Sequence, residues 1–228
     1  MNPKAIDLFS GPGGLSLGLT MAGFDIVGAV EKDSQAGRTY AYNIGDHVEI
    51  GDIEDIPPKE MEKRLKASGR ISSKKEIELI SGGPPCPGFS LIGRSKIASL
   101  IRSGEWVGSD YRHSFIDDPR NELFREFVRY VKHFKPKHIL MENVLGMASF
   151  KDISERPIIS VIKEEFQTLG YSVDARPLLA SDYGVPQSRK RMIFLGTRGK
   201  RQIIPYPEPT DFRVSSREAI RDLPNVNP

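Results

Sequence analysis

Ile6-Asp7-Leu8-Phe9-Ser10-Gly11-Pro12-Gly13-Gly14-Leu15-Ser16-Leu17-Gly18 decides the fold. The apolar run over residues 4–9 reads as a strand that breaks into a glycine-rich turn, and helical spacing follows. A turn of this kind between a first strand and a first helix is where doubly wound α/β folds hold a nucleotide-like cofactor. The spacing is not the dinucleotide fingerprint, because Ser16 stands where its third glycine belongs, and no phosphate-loop Lys-Ser/Thr follows. A cofactor without a pyrophosphate, such as S-adenosylmethionine, fits better. Glu31 ends the next apolar run, where an acidic side chain can bond both ribose hydroxyls; the alternative is a solvated strand end. Asp52, in Gly51-Asp52-Ile53, either takes the adenine amino group while Ile53 packs the ring, or is a turn residue.

Outward from this stretch, short apolar runs alternate with helical periodicity, the pattern of a mostly parallel sheet with helices on both faces. Strands are expected at 4–9, 25–30, 77–81, 138–141, 171–178 and 192–196. Helices are expected at 15–22, 34–43, 121–134 and 153–169, with a shorter one at 216–222. Ser34 is the expected N-cap of the second helix, and Gly23 and Gly170 the expected helix stops. The connection over 91–117 is long, and such loops are more often functional than scaffolding.

The chain has one cysteine, Cys86, in Ser81-Gly82-Gly83-Pro84-Pro85-Cys86-Pro87-Gly88-Phe89-Ser90. Prolines stiffen this loop and glycines let its backbone approach a ligand closely. Two readings stand: a buried small hydrophobe, or a reactive thiol with partners elsewhere in the chain. The strand at 138–141 delivers Glu142-Asn143-Val144 to the same sheet edge, so a carboxyl comes near the thiol as a proton donor or hydrogen-bonding group; the alternative is an N-cap. Arg189 and Arg191, two apart on an extended segment, point the same way and can converge on one target.

Composition narrows the class. At 228 residues, 38% hydrophobic and 28% charged, the chain can bury a sizeable core, and one cysteine excludes an internal disulfide. It begins without a signal-like apolar segment, and no run approaches membrane-spanning length, so a cytoplasmic protein is expected. Net charge is only +3. Residues 187–201, however, hold Arg189, Lys190, Arg191, Arg198, Lys200 and Arg201 and no acid, which suits a polyanion or a solvated face.

In this order the motifs closely resemble the 5-cytosine DNA methyltransferases. The matching segments are Asp7 to Gly14, Gly82 to Cys86, Asp118-Pro119-Arg120-Asn121-Glu122-Leu123-Phe124, Glu142-Asn143-Val144 and Gln187 to Arg191. The resemblance implies a Rossmann-like S-adenosylmethionine-dependent methyltransferase fold, acting on double-stranded DNA in a prokaryotic cytoplasm, with no metal and no membrane. It implies that the target cytosine is flipped out, that Cys86 adds to ring carbon 6, and that Glu142, with Arg189 and Arg191, serves that addition. Cofactor contacts are then implied for Asp7, Phe9, Ser10, Gly11, Gly13, Gly14, Leu15, Glu31, Lys32, Asp52, Ile53, Pro84 and Leu123. Substrate contacts are implied for Pro85, Phe89, Ser90, Asn143, Val144 and Gln187. Residues 115–124 would close over the base.

Two family parts are missing: the target-recognition domain and a late helix that finishes the cofactor pocket. Residues 1–202 therefore read as the catalytic domain and 203–228 as a linker towards a missing recognition domain. The chain is either a fragment or, as the break at a domain junction favours, one half of a split enzyme whose second polypeptide supplies recognition. Rival readings are an RNA cytosine-5 methyltransferase, a non-catalytic nucleic-acid-binding subunit and a nicotinamide oxidoreductase. The last fails on the glycine spacing.

Overall fold

The computed structural model describes residues 2–85, 123–149, 151, 155–199 and 204–224. Seven strands form one sheet in the order β3-β2-β1-β4-β5-β7-β6. They are β1 (Lys4–Leu8), β2 (Asp25–Glu31), β3 (Val48–Ile50), β4 (Ile77–Gly82), β5 (His138–Val144), β6 (Tyr171–Leu179) and β7 (Lys190–Arg198). All neighbours pair in parallel except β7, which runs against both β5 and β6. The C-terminal ends of β1 to β5 thus open on one edge, and β7 begins there, with Arg191 opposite Val144.

The strand order reverses between β1 and β4, the switch point where such sheets place their ligand crevice. The two strands meet there with no room for a side chain: a Cβ on Gly82 would lie 2.3 Å from the Leu8 carbonyl oxygen. β1 beyond Lys4 and the middle of β2 are buried, as central parallel strands covered on both faces must be.

One face carries α3 (Pro58–Ala67), α4 (Phe124–Phe134) and α5 (Ile158–Thr168) over the main core. α4 is strongly one-sided, burying Phe127, Tyr130, Val131 and Phe134. Phe127 meets Phe166 of α5 edge to face, with centroids 6.0 Å apart. The other face carries α1 (Gly14–Met21) and α2 (Ser34–Asn43) over a smaller cluster of Ala5, Leu19, Ile26 and Leu79. No described helix is long and apolar enough to cross a membrane.

The expected elements are present with shifted ends, and Gly23 and Gly170 stop their helices with positive φ. Ser34 is not the N-cap of α2. Asp33 is, its carboxylate accepting from the backbone N–H of Gln35 and Ala36. α5 begins only after Pro157, five residues later than expected, because a proline suits the start of a helix and not its interior. β3 and α3 were not anticipated from the sequence. Residues 86–122, which hold the long connection, lie outside the described residues.

Replacing Phe127 by alanine removes a fully buried ring from this core. It should destabilise the protein by about 3–5 kcal/mol, read as a lower urea midpoint at unchanged slope.

Candidate active site

The glycine turn is held by hydrogen bonds that reach β2. The Ser10 N–H donates to the Val30 carbonyl at 3.0 Å. The Gly11 N–H donates to Glu31 Oε2 at 2.7 Å, and the Asp33 N–H to Glu31 Oε1 at 2.7 Å. Phe9, Gly11 and Gly13 all have positive φ, at 57°, 56° and 99°. For Phe9, a non-glycine residue, this left-handed geometry costs roughly 1–2 kcal/mol, and its ring stands in a cavity wall.

That cavity, about 440 Å³, is lined by Phe9, Val30, Glu31, Lys32, Gly51, Asp52, Ile53, Glu54, Gly83, Pro85 and Leu123. Its size lies within the ~300–1,000 Å³ usual for small-molecule sites. Two side chains of α4 brace the segment after β3 that forms one wall: Arg129 Nη2 donates to the Ile53 carbonyl and Tyr130 Oη to the Ile56 carbonyl, both at 2.7 Å. Lys32 and Asp52 form an ion pair at the rim. A hydrogen bond from the Lys32 ammonium holds the Asp52 carboxyl below its usual range, and the same bond raises Lys32.

Six of the expected cofactor residues line this cavity: Phe9, Glu31, Lys32, Asp52, Ile53 and Leu123. Pro85, expected on the substrate side, lines it too. Ser10, Gly11 and Gly13 form the adjoining loop, Gly14 and Leu15 begin α1, and Pro84 precedes Pro85. Asp7 is not among the residues that line the cavity. It is fully buried, and its carboxylate accepts from the Ser16 and Ser81 hydroxyls. Val30, Gly51, Glu54 and Gly83 were not among the expected site residues, though Gly51 and Gly83 flank motifs that were.

The donor set fits an adenosyl cofactor. Apolar Phe9, Ile53, Pro85 and Leu123 offer surfaces for a ring, and Glu31 keeps lone pairs for hydroxyl donors. Ser10 Oγ is buried and has no hydrogen-bond partner among the described residues, a polar atom available to a ligand.

Beyond Gly83 the second part of the site begins. Arg191 Nε lies 2.6 Å from Glu142 Oε1, and Arg189 Nη2 lies 3.6 Å from the same oxygen. The two arginines therefore converge, as their spacing implied, although Arg189 stands just before β7. A Cβ on Gly83 would sit 3.0 Å from Glu142 Oε2, so a larger residue there would crowd the carboxylate. Asn143, buried, donates from Nδ2 to the Pro84 carbonyl at 3.2 Å, tying β5 to the loop that leads to Cys86. Val144 and Gln187 stand at the same edge. Cys86, Phe89 and Ser90 lie outside the described residues.

The fold is that of the Rossmann-like S-adenosylmethionine-dependent methyltransferases. The sequence profile of the C-5 cytosine-specific DNA methylase family matches residues 3–227, and the chain belongs to that family. It is 40% identical to the type II methyltransferase M.DdeI of Desulfomicrobium norvegicum over 97% of its own length but 48% of that protein's. Against M.AquIA of Picosynechococcus sp. it is 36% identical, covering 92% of this chain and 77% of the relative. Among solved structures, a proposed DNA modification methyltransferase encoded within an E. coli prophage superposes with a TM-score of 0.71 at 30% identity. That match covers 98% of this chain and 56% of the other. The chain thus spans about half the length of several relatives.

Burial raises the Asp7 carboxyl to about 6, against the opposing hydrogen bonds from Ser16 and Ser81. The folded state then binds this proton more tightly than the unfolded chain does. Its contribution is full below pH 3.8, is lost as pH rises towards 6, and is flat above. The loss should be on the order of 2–3 kcal/mol. Denaturant midpoints measured from pH 3.5 to 7.5 should show this slope, and Asp7→Asn should flatten it.

Proposed function

We propose that this chain is the catalytic core of a DNA cytosine-5 methyltransferase, placing a methyl group on carbon 5 of a cytosine flipped out of duplex DNA. The observation that carries the reading is the convergence of Arg191 and Arg189 on Glu142 beside Gly83, in a member of this family. Arg191 fixes Oε1, leaving Oε2 on the side of the loop that leads to Cys86. A carboxyl held this way can bond or protonate ring nitrogen 3 while the Cys86 thiolate adds to carbon 6. Carbon 5 then carries enamine electron density. S-adenosylmethionine, when bound, supplies an electrophilic methyl on its sulfonium. A base removes the carbon-5 proton, and Cys86 leaves with the electron pair of its carbon–sulfur bond, restoring the ring.

Phe9, Asp52, Ile53 and Leu123 would hold the adenine end of the cofactor, Glu31 the ribose, and Ser10 to Leu15 the remainder, with Lys32 and Pro84 at the margins. Pro85, Phe89, Ser90, Asn143, Val144 and Gln187 would line the base. By this reading the reaction belongs to restriction–modification; the relatives are named type II methyltransferases.

A second half, on this or another polypeptide, completes the site in our reading. Two surfaces support that. α1 carries no charged side chain and leaves two large apolar ones in the open, Leu17 50% and Met21 82% exposed. On the same side of the sheet, Leu140, Ile193 and Leu195 are only half-buried.

Duplex DNA carrying 5-fluorocytosine tests the chemistry, because fluorine cannot leave carbon 5 as a proton does. With S-adenosylmethionine and the complementary half present, the protein should form a gel-stable adduct that Cys86→Ala abolishes. Methylation by the Cys86→Ala protein would overturn the reading. Arg191→Ala should free the Glu142 carboxylate and lower kcat on the order of 10²-fold, with cofactor affinity unchanged in calorimetry. The 228-residue chain alone should show little sequence-specific methylation, against full activity when the other half is supplied.

A further inference from the structure

Tyr40 of α2 is fully buried, and nothing in the proposed reaction uses it. Its hydroxyl lies 2.9 Å from Ser16 Oγ and 3.0 Å from His47 Nε2. Ser16 Oγ in turn donates to Asp7 Oδ2 at 2.6 Å, and Ser81 Oγ donates to Asp7 Oδ1 at 3.0 Å. Ser16 has one proton and gives it to Asp7, so it accepts from Tyr40, and Tyr40 accepts from His47 Nε2–H. One directed chain therefore runs from half-buried His47 through α2 and α1 to the carboxyl of β1, with β4 joined at the far side. The Tyr40 ring also touches the glycine turn: a Cβ on Gly13 would lie 3.0 Å from its Cδ2, and 2.6 Å from Ile44 Cγ1.

We propose that Tyr40, oriented by His47, is a positioning residue for the cofactor: its ring and hydroxyl together fix the turn Gly13-Gly14-Leu15-Ser16 against α2. Ile44 also packs against Gly13 on that side of the turn, but the hydrogen bond to Ser16 from α2 comes from the Tyr40 hydroxyl. Ser16 is the first buried side chain of α1, Asp7 faces inward from β1, and Tyr40 alone joins both to α2. Gly11 is held from the other side by Glu31. Removing the Tyr40 hydroxyl leaves Ser16 bonded to Asp7 but unanchored to α2, so the turn loosens while the sheet stays intact. The cofactor role rests on the reading that this turn binds S-adenosylmethionine; the bracing of the turn does not.

Tyr40→Phe separates the two, since it keeps the ring against Gly13. Amide hydrogen exchange on the full chain should accelerate at least fivefold in residues 11–17, with β1, β4 and β5 unchanged. The dissociation constant for S-adenosylhomocysteine should rise five- to tenfold, and kcat at saturating cofactor, measured with the complementary half, should stay within twofold. His47→Gln, whose amide can still donate to Tyr40, should resemble the parent, and His47→Leu should fall between the parent and Tyr40→Phe. Unchanged exchange in 11–17, or acceleration spread evenly over the sheet, overturns the proposal. A parent protein that binds no S-adenosylhomocysteine even with its complementary half would instead sink the cofactor reading and the cofactor role of Tyr40, while the exchange data still decide whether Tyr40 braces the turn.

Discussion

The close approach of β1 and β4 at the switch point governs this structure. Gly82 packs its α-carbon against the Leu8 carbonyl, where any side chain would overlap backbone. Two loops leave from that contact: the glycine turn after β1 and the Gly83-Pro84-Pro85 segment after β4. Their separation is set by a parallel strand spacing of about 4.8 Å. On the proposed reading, a cofactor seated on one loop and a base held by the other would therefore be neighbours. Gly83 extends the same economy of space, because its missing side chain lets the second loop run beside Glu142.

Besides Glu54 on the cavity wall, four carboxylates stand at or beneath this edge, and each is handled by a different physical means. Glu31 is bonded by two backbone N–H groups and keeps lone pairs free. Asp52 is paired with an exposed lysine that can swing away at small cost, since such pairs contribute little in high dielectric. Glu142 is gripped by an arginine whose position is fixed by strand register, Arg191 lying opposite Val144. Asp7 is removed from water altogether and answered by serine hydroxyls. The three that face the cavity or the sheet edge keep an accessible oxygen. The fourth gives up that access and organises the backbone beneath them.

Much of this was legible in the residues. The central strands are continuous apolar runs, so their order of appearance and their glycine exits could be read directly, and the Arg189–Arg191 spacing correctly implied convergence. β3 escaped notice because three residues, Val-Glu-Ile, carry too little pattern, and they are only partly buried. α3 escaped because charges dominate Pro58–Ala67 and only Pro58, Met61 and Leu65 turn inward. Asp33 took the cap from Ser34 by a shift of one residue, a difference that depends on φ/ψ and not on residue type. Asp7 was read as a cofactor residue because it belongs to the same motif as Phe9. Asp7 lies inside β1 and is buried in the sheet, whereas Phe9 follows the strand with a positive φ and lines the cavity.

The two faces of the sheet differ for a reason that bears on completeness. α3, α4 and α5 cover one face with a large aromatic core, and α4 also braces the cavity wall through Arg129 and Tyr130. α1 and α2 cover only the β1–β3 side of the other face, over four buried residues. The glycine turn sits at the head of this thinner layer. There is less apolar packing to hold it, so polar bonds do the holding: Gly11 to Glu31 on one flank, and the Asp7–Ser16–Tyr40 chain on the other. Hydrogen bonds of this kind contribute about 0.5–1.5 kcal/mol each, less than a buried aromatic side chain. A turn fixed in this way can yield locally to admit a ligand without loosening the aromatic core on the opposite face.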